Sequence, residues 1–209
     1  MAARLIAQHG FSATRMAAIA QESGLQQSSI YYWFRSKNEI LRAIVDQNRV
    51  SLTAARALSG RLEPAAVRLY IVLYQDVVQM CSGPLDFFDL EEAARQQPEV
   101  FSDFRGDYDE LVVRLRQIVA SGMTAGQFHQ VPVAEVVRTA LSLTEGSQHR
   151  FRAGGHDISD MPGFADAAAW FAVRALLADP DTVSQVRAAA RTGIDGFAAL
   201  VDASQPNDD

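Results

Sequence analysis

Gly10-Phe11-Ser12-Ala13-Thr14-Arg15-Met16-Ala17-Ala18-Ile19-Ala20, followed after Gln21-Glu22-Ser23 by Gly24-Leu25-Gln26-Gln27-Ser28-Ser29-Ile30-Tyr31-Tyr32-Trp33-Phe34, is the stretch whose reading decides the fold. Its glycines separate short segments in which apolar residues recur at helical rather than alternating spacing. Met16, Ile19 and Ala20 stand at i, i+3 and i+4, one face of a helix from Arg15 to about Ser23, with Thr14 as its expected N-cap. Gly24-Leu25 makes a turn. Ile30 and Phe34, four apart, mark the inner side of a third helix from about Gln27 to Phe34. That orientation leaves Ser28 and Tyr32 facing outward with Ser29 and Tyr31 on the flanks. Two short helices joined through a glycine, the second presenting hydrogen-bonding groups without acidic charge, form the pattern of a DNA-reading helix-turn-helix.

Working outward, residues 2–9 read as a first helix that buries Leu5 and Ile6 and stops at Gly10. Ser36-Lys37-Asn38-Glu39 has the spacing of a capping box and opens a long helix to about Ala57. Beyond Gly60 the amphipathic segments lengthen, separated by Glu63-Pro64, Gly83-Pro84, Gln97-Pro98, residues 122–132, residues 154–162 and Asp179-Pro180. No strand pattern and no fixed-period repeat is visible. The expected fold is all-α: a three-helix helix-turn-helix domain over residues 1–45, a larger helical effector-binding and dimerisation domain over 46–203, and a disordered tail over 204–209.

The net charge of −6 at first argues against a nucleic-acid partner. It is unevenly distributed. Residues 1–50 carry Arg4, Arg15, Arg35, Lys37, Arg42 and Arg49 against Glu22, Glu39 and Asp46, a net +3, while the remaining residues sum to −9. A polyanion is attracted to one end and repelled by the rest. Cys81 is the only cysteine, which excludes an intrachain disulfide and a cysteine-based zinc cluster; it reads as a small core residue. No apolar run has the length of a signal peptide or a membrane span, so a cytoplasmic protein is expected. There is no Gly-rich phosphate loop and no nucleophile elbow, and neither a catalytic site, a cofactor nor a metal is expected.

On the third helix, Gln27, Ser28 and Ser29 have the reach and chemistry for base edges in the major groove, and Tyr31, Tyr32 and Trp33 suit phosphate contact through hydroxyl and indole donors. Lys37 adds positive charge at a helix start. Arg15 and Gln26 flank this group and join the expected DNA contacts. The segments already quoted, together with Ile30-Tyr31-Tyr32-Trp33-Phe34-Arg35-Ser36-Lys37-Asn38-Glu39-Ile40-Leu41, resemble the DNA-binding domain of the TetR family of transcriptional regulators. The resemblance covers about the first fifty residues and implies that Thr14, Gln27, Ser28, Ser29, Tyr31, Tyr32 and Lys37 face DNA. It departs from the family at Gln26, where a serine or threonine cap is common, and at Trp33, where histidine is frequent. The stretch from Gly122 to Phe128 resembles the loop before the family's dimerisation helices.

The remainder is expected to hold a small hydrophobic or aromatic effector. Tyr70 and Tyr74 lie one turn apart, Phe88, Phe104 and Tyr108 follow, and Glu145, His149 and Trp170 are candidates for orienting the guest. The expected partners are double-stranded operator DNA, that effector, and a second copy of the chain. Two late helices among about 132–150, 164–177 and 182–201 would form the homodimer, since small side chains let helices approach closely. The expected function is a ligand-released repressor on a palindromic operator. The alternative is a helical-bundle enzyme or ligand-carrying module that does not bind DNA.

Overall fold

The computed structural model of the chain describes residues 1–46, 49–83, 86–96, 98–99 and 101–199. The expected disordered tail, 204–209, lies outside them. Eleven α-helices occur among the described residues: α1 (Ala2–His9), α2 (Met16–Glu22), α3 (Gln27–Trp33), α4 (Lys37–Asp46), α5 (Val50–Leu58), α6 (Ala65–Ser82), α7 (Phe87–Gln96), α8 (Ser102–Thr124), α9 (Val133–Ala153), α10 (Met161–Leu176) and α11 (Val183–Thr192). No strand accompanies them there, only two isolated bridges, Phe128 with Leu177 and Ile194 with Phe197. The all-α expectation holds.

The chain divides into two compact units, residues 1–49 with 82–107, and residues 50–81 with 108–209. In the first, Leu5, Met16, Ile19, Ala20, Ile30 and Ile40 form the core of the helix-turn-helix, and all but Ile40 are residues that the sequence reading turns inward. Gly24 takes φ +67, the left-handed conformation that this turn requires and that a Cβ penalises. A second apolar cluster, Ile6, Leu41, Ala94 and Phe101, binds α7 and the start of α8 into the same unit. Residues 82–107 therefore pack with the N-terminal helices, whereas the sequence reading assigns them to the second domain.

Three local features differ from the sequence expectation. Thr14 does not cap α2: its hydroxyl donates to the Gly10 carbonyl at 2.8 Å, and Arg15, with extended backbone, occupies the N-cap position. Ser36 Oγ accepts from the Glu39 amide at 3.2 Å, as in a capping box, but the Glu39 carboxylate reaches back to the Arg35 amide at 2.7 Å, one residue beyond the box. The single long helix expected from Ser36 to Ala57 is two, α4 and α5, with Arg49 outside both.

The second unit is built on α6, from which Leu69, Tyr70, Ile71, Val72, Leu73, Tyr74 and Val77 are all inaccessible to solvent. Such a helix, apolar on all sides, is buried on all sides. Arg68, also buried, donates to the carbonyls of Leu58 and Ser59, where α5 ends, and to that of Glu63, just before α6. Tyr70 donates its hydroxyl to the Asp166 carboxylate at 2.6 Å, and Arg187 pairs with the same carboxylate, tying together α6, α10 and α11. The last late helix is shorter than expected. It stops at Thr192, and Ile194 and Phe197 close a tight turn through reciprocal backbone bonds of 2.7 and 2.9 Å.

Candidate nucleic-acid interface

α3 turns Ile30 into the core and nearly everything else toward solvent. Gln26, Gln27 and Ser28 are exposed and Ser29 is half-buried. Tyr31 is 46 %, Tyr32 80 % and Trp33 73 % exposed, so these aromatics are not core. Tyr32 and Trp33 pack edge to face, ring centres 5.2 Å apart. Large aromatic groups held outward on a seven-residue helix carry a cost in water that a binding surface explains. Gln26, at the N-cap of α3, makes no side-chain capping bond, as its side chain leads one to expect. Arg15 is exposed at the head of α2, and Arg35 is exposed just past α3. Arg35 was not among the residues singled out from the sequence. Its position directly after the aromatic run was the available signal.

Two of the expected DNA-facing side chains point elsewhere. Thr14 is buried, its hydroxyl placed between the carbonyls of Gly10 and Leu5. The Lys37 ammonium donates to the carbonyl of Phe11, to that of Ser12 at 3.2 Å and to that of Thr14 at 2.8 Å, and lies 4.4 Å from the centre of the Phe11 ring. Partial burial pulls its pKa down from the ordinary lysine value.

The residues expected to line an effector pocket are divided between the two units. Phe88, which is exposed, and Phe104, half-buried, belong to the first unit. In the second unit Tyr70 and Tyr74 are fully buried, with the Tyr70 hydroxyl engaged by Asp166. Tyr108 donates to Glu145 Oε1 at 3.1 Å, so these two expected residues do meet. His149 and Trp170 are exposed, with Arg174 stacked over the Trp170 ring at 5.5 Å. α9 buries Val137, Ala140, Leu141, Thr144, Ser147, Gln148 and Phe151, so His149 falls one 100° step past Gln148 and leaves the core.

The buried polar groups are ones the sequence reading passed over. Asp76, on α6, accepts from the Thr144 hydroxyl at 2.8 Å and from the Ser51 hydroxyl, and Gln148 is fully buried on the same side of α9 as Thr144. The spacing of Thr144 and Gln148, in register with Leu141 and Phe151, was the signal that could have placed them inside. Burial raises the Asp76 pKa above the ordinary carboxylate value, against the two hydroxyl bonds that lower it. A carboxyl whose pKa is raised on folding contributes its stability below its unfolded value and loses it as pH rises through the folded value. Asp76→Asn is therefore expected to melt higher than the parent at neutral pH and to flatten the fall in melting temperature as pH rises above the ordinary aspartate value of about 4. Parallel pH slopes in the two proteins would contradict this. Cys81 is buried, and its thiol is pushed up to about 11, an unreactive state that fits the core role. No group of three or more His, Cys, Asp or Glu residues able to hold a metal occurs among the described residues, and no described helix is long and apolar enough to cross a membrane.

Residues 1–44 match the family model of bacterial regulatory proteins, tetR family. The uncharacterized HTH-type transcriptional regulator YfiR of Bacillus subtilis is 26 % identical over 178 residues, covering 81 % of this chain and 85 % of that protein. The crystal structure of Mycobacterium smegmatis AmtR superposes with a TM-score of 0.71 at 24 % identity, over 92 % of this chain and 91 % of that one. That of AibR in complex with isovaleryl coenzyme A and operator DNA gives 0.67 at 17 % identity, over 81 % and 92 %. Residues 1–44 thus match the helix-turn-helix of the tetR family of bacterial regulatory proteins, and the chain shares its fold with solved proteins of that kind, a TetR-family transcriptional regulator of Thermus thermophilus among them.

Proposed function

We propose that this protein is a transcriptional repressor that binds a near-palindromic operator as a homodimer and is released by a small hydrophobic or aromatic effector. The observation that carries the DNA reading is the outward surface of α3: Gln26, Gln27, Ser28, Ser29, Tyr31, Tyr32 and Trp33 around one buried anchor, Ile30, with Arg15 and Arg35 beside it. In a two-fold dimer the two α3 helices enter successive major grooves about 34–36 Å apart. Gln27 is the side chain suited to a bidentate bond with adenine, and Ser28 adapts to either partner of a base pair. The cytoplasm, where operator DNA lies, is the compartment this function needs.

Gln27→Ala is expected to reduce the ratio of operator to random-duplex affinity about tenfold or more, the scale of one bidentate base contact, while binding to random duplex keeps its salt dependence. Operator fragments selected from genomic DNA, then titrated by fluorescence anisotropy, make the measurement. An unchanged ratio would remove Gln27 from the base contacts. Failure of the unaltered protein to bind DNA in a salt-dependent way would remove the DNA reading altogether.

For the effector, the proposal draws on the second unit, where Tyr108 and Glu145 are hydrogen-bonded beside an aromatic core that includes Tyr74. Apolar walls with a few placed polar groups are what small-molecule sites use. AibR, of the same fold, is bound to isovaleryl coenzyme A in its operator complex. Such a ligand releases DNA only to the extent that it binds more tightly to the DNA-free arrangement.

A further inference from the structure

Tyr32 is the most exposed aromatic residue among those described, and Trp33 is the next. Ile30, the buried anchor of α3, lies about 200° around the helix from Tyr32, so the same packing that seats the helix aims the Tyr32 ring away from the core. Ser28 stands one turn earlier on that outward stripe. Helical side chains lean toward the N-terminus, which inclines the ring toward Ser28 rather than off the end of α3. Seven residues make α3 about 10 Å long, less than the ~12 Å width of the major groove, so a helix whose start enters the groove keeps Tyr32 inside it. The Tyr32 and Trp33 rings meet edge to face, centres 5.2 Å apart and planes at 90°, and two rings that brace each other lose little freedom on binding.

What such a surface reads is narrow. The other groups that distinguish base pairs in the major groove are hydrogen-bond donors and acceptors, and the thymine C5-methyl alone is apolar. Laying the ring against it takes apolar surface of both partners out of water. We infer that the Tyr32 ring, braced by Trp33, reads a thymine methyl in each half of the operator. The inference rests on the DNA-binding reading above and deepens it, adding an apolar base contact to the polar ones of Gln27 and Ser28. In this contact Tyr32 touches the base and Trp33 is a positioning residue.

The test uses the operator selected from genomic DNA and copies in which thymine is replaced by deoxyuridine, one symmetric pair of positions at a time. The replacement removes the methyl and leaves every hydrogen-bonding group in place. Fluorescence anisotropy with the full chain gives the thymine-to-uracil affinity ratio. At one symmetric pair the parent is expected to prefer thymine about fifteenfold, roughly fourfold for each methyl covered. Tyr32→Phe, which keeps the ring, should keep that ratio, and Tyr32→Ser should bring it close to one. Trp33→Ala should narrow it and Trp33→Phe restore it, because the brace needs a ring. The inference is overturned if no position gives the parent a preference above about twofold, or if Tyr32→Ser retains the preference. Loss of the preference in Tyr32→Phe would overturn it too, since the hydroxyl would then be the reading group. A ratio untouched in Trp33→Ala would remove Trp33 from the contact. Random-sequence duplex in a salt series runs alongside: a parent that binds it in a salt-dependent way yet ignores the methyl refutes this inference alone, whereas a parent that binds no DNA refutes the DNA reading itself.

Discussion

Phe171→Arg is expected to leave the chain monomeric at micromolar concentration and to weaken operator binding by at least about a hundredfold, because two linked heads gain affinity by roughly 10²–10⁴ over one. α10 packs its Ala165, Ala168, Ala169, Ala172 and Val173 inward and turns Gly163, Ala167, Trp170, Phe171 and Arg174 outward. Phe171 is 61 % exposed, and Trp170 stands beside it. A band that alternates small residues with two large aromatics suits the two-fold packing of a helix against its own copy. The outward positions of α9 include the small residues Thr139, Ser142 and Ala153 beside Arg138, His149 and Arg150. α11 presents Ser184, Gln185, Ala188 and Ala189 outward and no large apolar group. The proposed four-helix interface is accordingly α9 and α10 from each subunit. An arginine at position 171 would meet its symmetry mate or an apolar wall, at a cost that a contact of this size does not recover. Leu62, fully exposed and on neither helix, is the control: Leu62→Arg should stay dimeric. Sedimentation of both variants decides, and a dimeric Phe171→Arg protein with parental operator affinity would exclude α10 from the interface.

The second large effect is expected at Gly122. A Cβ there would lie 2.2 and 2.4 Å from ring carbons of Phe128 and 3.0 Å from the Ala65 Cβ. The ring has little freedom to retreat. Phe128 is buried, its amide donates to the Gly122 carbonyl at 3.2 Å, and the next amide, of His129, donates to Leu176 at 2.9 Å. Gly122→Ala should cost about 2–3 kcal/mol and lower the melting temperature by roughly 5–10 °C. Gly106, on the same helix α8, is exposed and has open space where a Cβ would stand. Gly106→Ala should gain about 0.5–1 kcal/mol, because only the helix-weakening entropy of glycine is removed. If both substitutions shifted the melting temperature in the same direction, the close approach of Phe128 to α8 would be wrong.

The matched family model and the Bacillus subtilis relative are those of regulators, which favours the regulator reading over the enzyme or carrier alternative left open by the sequence. What the residues could tell without the fold was local. Met16, Ile19 and Ala20 had to share a face, Ile30 had to oppose Tyr32, and Gly24 had to turn the chain, because helical spacing alone sets these relations. That is enough to read a helix-turn-helix and an all-α chain. The tertiary structure decided who meets whom across long separations. It gave Lys37 the carbonyls of Phe11, Ser12 and Thr14, brought Thr144 to Asp76 from 68 positions away, and joined residues 82–107 to the N-terminal unit. It also sent His149 outward and Gln148 inward, though the two are adjacent in the chain. Periodicity fixes the angle between side chains around one helix, but the face that becomes the interior depends on which other helix packs there. That choice is made by burial summed over segments far apart in sequence, and local spacing signals it only where apolar neighbours such as Leu141 and Phe151 mark the face.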